Sequence, residues 1–213
     1  MSETLRVDIW SDLACPWCYI GKRKFEAGAA AAGLDIAVEY HSFELAPDTP
    51  VDFDGSETDF LVSYKGMPAD QVQQMLDRVS AIAASVGLDY HFERVRHTNT
   101  RLAHEALHHA KTHGRQRELK ERLLSAYFTE GRHIGREDEL AALAAEVGLD
   151  ADKTLAALRS GEYRAAVDAD VEQARRYGIS GVPFFVIDAK YGIAGAQDAT
   201  VFTEALRRYS PNT

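Results

Sequence analysis

The chain contains only two cysteines, and they stand three positions apart in Cys15-Pro16-Trp17-Cys18. Thiolates at that spacing serve either disulfide exchange or metal binding. A closed structural zinc site takes four ligands. There is no second cysteine pair, and the eight histidines show no partner spacing to this one, so no metal is expected at Cys15 and Cys18. A structural disulfide framework would need more cysteines spread along the chain. Redox chemistry is the reading these two residues favour.

The elements around the pair suit that chemistry. Residues 5–10 alternate apolar and polar side chains, a strand pattern. Residues 16–32 read as a helix, with Pro16 in its first turn and Gly33 at its end. Cys15 therefore stands at a helix N-terminus, where N–H groups lack intrahelical partners and the macrodipole is positive. That position predicts a Cys15 pKa below the ordinary thiol value of about 8.5. Cys18 follows one turn later as the resolving thiol. Pro16 removes a competing N–H and sets a helical φ. Trp17 offers an aromatic face beside the sulfur, either to a substrate or to packing.

A second signal lies far along the chain. Gly181-Val182-Pro183 directly precedes the apolar strand 184–187. Proline at a strand's start costs no central ladder bond. An ordinary trans turn is one possibility there. A cis Val182-Pro183 bond is the other, and it would leave the N–H and C=O of Val182 free to pair with an extended peptide.

Residues 36–43 form a second alternating segment, so the chain opens strand–helix–strand, a parallel pair with a crossover. A loop rich in Pro and Asp covers 46–55. Helical periodicity then runs through 68–86, 99–113, 116–128, 137–147 and 152–158. The last part returns to α/β. It has a helix over 163–177, the strand 184–187, a hairpin partner within 189–194, and a helix over 200–209 that Asp198 caps. These segments predict a core from 1–55 and 162–213, interrupted by a helical domain over 56–161.

Composition narrows the function classes. Hydrophobic residues make up 46% and the formal net charge is −9, which opposes binding to a phosphate backbone. No apolar run reaches the roughly 20 residues of a membrane span. The first residues, Met1-Ser2-Glu3-Thr4-Leu5-Arg6, lack the basic and apolar regions of a signal peptide, so a cytoplasmic protein is expected. His104-Glu105-Ala106-Leu107-His108 matches the zinc-protease pattern His-Glu-x-x-His. The extended form would place Gly at 111 and His at 114, where this chain has Lys111 and Gly114. The expectation is that His104 packs and that His108 and His109 are solvated.

Five phrases carry a resemblance that spans nearly the whole chain. They are Trp10-Ser11-Asp12-x-x-Cys15-Pro16-Trp17-Cys18, Asn99-Thr100-x-x-Ala103-His104, Tyr127-Phe128-Thr129-Glu130-Gly131, Gly181-Val182-Pro183 and Gly195-Ala196-Gln197. Together they resemble the DsbA-like thioredoxin-fold oxidoreductases, in the FrnE-like branch, which is related to 2-hydroxychromene-2-carboxylate isomerases and kappa-class glutathione transferases. The resemblance implies an α/β thioredoxin fold with a large all-helical insertion and a cis Val182-Pro183 bond. It also implies Cys15 and Cys18 as catalytic residues, with Pro16, Trp17, Val182 and Pro183 binding substrate. The implied partners are protein thiols or disulfides, or a small thiol such as glutathione as co-substrate, with no other cofactor and no metal. The alternative is a glutathione-dependent isomerase or transferase acting on a small aromatic or polyketide-like molecule. Those relatives carry serine at the position of Cys15, and this chain keeps both cysteines. It departs from the family at His133, where an acidic residue is usual.

Overall fold

A computed structural model describes residues 4–210. The chain divides into two compact units. One comprises the residues up to Phe43 and those from Asp168 onward; the other is Glu44–Val167.

The first unit is built on a four-stranded sheet, ordered β2-β1-β3-β4. Strands β1 (Leu5–Ser11) and β2 (Ile36–Ser42) are parallel and joined by helix α1 (Pro16–Ala32). Strands β3 (Phe184–Ile187) and β4 (Tyr191–Ala194) add antiparallel pairs. The period of two divides the strands between two cores. Val7, Ile9, Phe185 and Ile187 pack with Phe25 of α1 and with Phe202 and Leu206 of the last helix, Ala199–Arg208. Trp10 and Val186 face the other way and pack with Ala174 and Ile179. Ala174 lies on the helix Arg164–Arg176. The turn between β3 and β4 holds Asp188 and Ala189 at φ of 50° and 54° and is closed by Lys190 N–H on the Ile187 carbonyl.

The second unit is helical. It contains α2 (Glu57–Lys65), α3 (Ala69–Ser85), α4 (Arg101–Thr112), α5 (Gln116–Ser125), α6 (Glu137–Glu146) and α7 (Ala151–Ser160); Arg164–Arg176 follows as α8 and Ala199–Arg208 as α9. Helix α4 is buried on every side, since all eight residues from Ala103 to Ala110 are inaccessible. The helix expected over 116–128 instead widens at Ala126–Glu130 into a π-helical turn. There the Phe128 carbonyl accepts from His91 N–H at 2.7 Å. Gly131 ends the turn at φ 69°, where a Cβ would strike the Arg94 carbonyl. Helix α2 begins with a capping box in which the Ser56 hydroxyl accepts from Asp59 N–H and the Asp59 carboxylate accepts from Ser56 N–H. Among the described residues, no helix is long and apolar enough to cross a membrane.

Candidate functional site

Cys15 is the N-cap of α1, with extended backbone at φ −93° and ψ 110°, and Pro16 occupies the first turn. The turn is closed by Cys18 N–H on the Cys15 carbonyl at 3.0 Å. Both sulfurs are free thiols and both residues are buried. Trp17 is 39% exposed.

The Val182-Pro183 bond is cis. The Cys15 thiol donates to the Val182 carbonyl at 3.6 Å, which joins two segments 167 residues apart. That carbonyl is therefore engaged in the dithiol form, contrary to the expectation that both polar groups of Val182 stay open. Its N–H has no hydrogen-bond partner among the described residues. Pro183 lies close against α1: a Cβ on Gly21 would stand 2.8 Å from the Pro183 ring. Only glycine permits that approach of helix to loop. The Pro183 carbonyl accepts from Gly195 N–H at 2.8 Å, so the Gly195-Ala196-Gln197 phrase also belongs to this corner.

The acidity of Cys15 corrects the sequence expectation. The neighbouring Cys18 sulfur and complete burial push the Cys15 thiol well above its ordinary value, and the charge of buried Asp12 adds to this. The Cys18 N–H works in the opposite direction and is outweighed. A helix N-terminus favours one thiolate, but two adjacent sulfurs share a single negative charge and resist a second. The raised value is the cost of ionising Cys15 when it is buried beside a second sulfur.

A buried charge array that the sequence reading missed lies on the second face of the same sheet. His41 on β2 is bonded at both ring nitrogens, Nδ1 to Asp170 Oδ1 and Nε2 to Asp8 Oδ1, each at 2.8 Å. Asp170 also accepts from Ser42 N–H at 2.8 Å, and Arg6 grips both Asp8 oxygens. The Trp10 indole stacks on His41 with centroids 4.4 Å apart and donates to the Asp170 carbonyl. Burial opposes the imidazolium, but the two carboxylates overcome it and raise His41 to about 9. Burial likewise raises Asp8, and bonding to His41 and Arg6 reverses this and leaves it below its ordinary value. The available signal was the strand register, Asp8 opposite Glu39 and Trp10 opposite His41, with charges recurring at interior positions.

Asp8, Glu39 and His41 bring one ligand-type atom each within 4.8 Å of one another, and no other such trio occurs among the described residues. Arg6 already neutralises that group. Among the described residues, His104 and His108 belong to no such trio. His104, His108 and His109 are all buried, which corrects the expectation that the latter two are solvated. They lie on α4, the helix that is enclosed all round. His133 is buried too: its Nδ1 accepts from Gly135 N–H and its Nε2 faces Asp52 at 3.3 Å. Burial and the charge of Arg136 hold its pKa below the usual histidine value.

Comparison with known proteins matches this architecture. Residues 6–207 match the model of the DSBA-like thioredoxin domain. The chain belongs to that family, whose members are thioredoxin-fold thiol oxidoreductases and their relatives. It is 33% identical to YwbO of Bacillus subtilis (strain 168) over 208 residues, which is 95% of this chain and 96% of that protein. A crystal structure described as a probable DsbA oxidoreductase, SCO1869 from Streptomyces coelicolor, superposes with a TM-score of 0.90 at 40% identity, covering 96% of this chain and 89% of that one. The cytosolic disulfide reductase DsbM from Pseudomonas aeruginosa, solved with GSH, shares the fold with a TM-score of 0.68 at 21% identity. That match covers 96% of this chain and all of the other.

Proposed function

We propose that the protein is a dithiol–disulfide oxidoreductase that works through a mixed disulfide at Cys15. The observation that carries this reading is the placement of Cys15 at the start of α1, with its own sulfur against the Val182 carbonyl and Cys18 one turn on. Its 40% identity to a probable DsbA oxidoreductase supports the same reading.

In the reducing direction the Cys15 thiolate attacks one sulfur of a substrate disulfide and expels the other as a thiolate. Cys18 loses its proton and attacks the Cys15 sulfur, the substrate leaves as its second thiol, and a Cys15–Cys18 disulfide remains. The protein has then given up two electrons, and two molecules of a thiol such as glutathione restore the pair and leave joined as their own disulfide. In the oxidising direction each step runs in reverse. In a cytoplasmic setting, the thiol pool keeps the pair reduced and favours reduction. The substrates are protein disulfides or small-molecule disulfides, met by the exposed Trp17, by Pro16 and Pro183, and by the free Val182 N–H. The reaction needs no metal and no cofactor besides the thiol co-substrate.

The test is turnover of a model disulfide by reduced protein with glutathione as recycling thiol. Cys15→Ser is expected to abolish turnover, and full activity in that variant would contradict the proposal. Retained turnover of a small isomerisation substrate by Cys15→Ser would instead support a glutathione-dependent isomerase.

A further inference from the structure

The helical unit carries a cavity of about 420 Å³, within the size range of small-molecule sites. It lies between α2 and the loop that follows β2. Phe60 is the centre of its wall. Phe60 stacks on His97 at 3.4 Å and on Tyr64 at 5.3 Å, with Phe53 edge-on at 5.6 Å. Pro47 and Pro50 also line it. Tyr64 ends the stack and is 57% exposed.

This wall is held in place before any ligand arrives. His97 is fixed by a buried bond to Glu57 at 2.8 Å. The Tyr64 hydroxyl donates to the Leu45 carbonyl, the Asn99 side chain donates to the Pro47 carbonyl, and Asn99 N–H donates to the Pro50 carbonyl. These bonds use the carbonyls an incoming peptide backbone would need, so the loop offers little for strand-like pairing. What remains is aromatic and proline surface, with the Thr49 and Ser63 hydroxyls. Asp48 is the one formal charge among the lining residues. It is exposed and makes no ion pair among the described residues.

We propose that this pocket binds a small planar aromatic molecule that carries a positive charge, its ring against the exposed Tyr64 and its charge beside Asp48. Aromatic faces attract cations through the ring quadrupole, and the unpaired carboxylate selects the same sign and repels anions such as glutathione. Binding there requires no redox step.

The test is equilibrium dialysis of the whole protein at low ionic strength against two planar bicyclic probes of similar shape, N-methylquinolinium and 2-naphthoate. N-methylquinolinium is expected to saturate one site per chain and to bind tighter than 2-naphthoate by about threefold or more. Asp48→Asn is expected to bring the two affinities together. Tyr64→Ser, at an exposed position, is expected to weaken the cation by about threefold or more. Three results would overturn the proposal: no saturable binding, equal or tighter binding of 2-naphthoate, or cation binding indifferent to both substitutions. The readout is binding alone, so its failure leaves the proposed disulfide exchange standing.

Discussion

The Cys15 thiol and the Val182 carbonyl meet at 3.6 Å across 167 residues of sequence. A hydrogen bond that the thiol donates stabilises the neutral form, and it must break when Cys15 ionises or joins a substrate. The resting dithiol is therefore guarded, and the Cys18 sulfur is the larger guard.

The coupling of the two sulfurs is open to titration. In the reduced protein, ultraviolet thiolate absorbance is expected to rise in two separated steps, the second above the ordinary thiol value. Cys18→Ser removes the largest cause of the upward shift and is expected to leave one step, at lower pH than that second step. One unsplit step in the wild type at the ordinary thiol pKa would contradict the shared-charge account.

The His41 array predicts a loss of stability on the alkaline side. His41 is raised from 6.5 to about 9 by Asp170 and Asp8. Its contribution is fully present below pH 6.5 and is lost as pH rises through about 9. At 1.36 kcal/mol per pKa unit the shift corresponds to about 3 kcal/mol. Urea melts from pH 6 to 10 are expected to show this decline in the wild type and a flatter profile in His41→Gln, which starts from lower stability. Parallel profiles for the two proteins would refute the assignment.

Gly28 marks the close contact of α1 with α9. A Cβ there would stand 2.6 Å from the Ala199 carbonyl and 2.7 Å from the Phe202 Cβ. Replacing Gly by Ala in an exposed helix interior gains about 1 kcal/mol, but overpacking costs about 1–3 kcal/mol. Because backbone atoms form this contact, the clash prevails. Gly28→Ala is expected to lower the denaturant midpoint, and a higher midpoint would show that α9 yields.

The sequence made the chemistry-bearing ends of the first unit legible. Alternation marked β1 and β2, Pro16 and Gly33 bounded α1 where the structure ends it, and the apolar run marked β3 at Phe184–Ile187. No helix was expected over Glu57–Lys65, where the structure has α2. Its apolar face is weak, since Glu57 is its one buried residue; the Ser56–Asp59 box was the readable sign. The π-helical turn was not legible, because a long-range bond from His91 to the Phe128 carbonyl accompanies it. The Cys15 pKa was misread for a similar reason. A helix N-terminus favours the thiolate, but the adjacent Cys18 sulfur and tertiary burial outweigh it.

Mass analysis of Cys18→Ser after exposure to a disulfide substrate tests the central claim most directly. With its resolving partner removed, Cys15 is expected to accumulate a covalent mixed disulfide with protein or glutathione sulfur, released by dithiothreitol and absent from Cys15→Ser. A Cys18→Ser protein that stays unmodified, or adducts that persist in Cys15→Ser, would contradict the account.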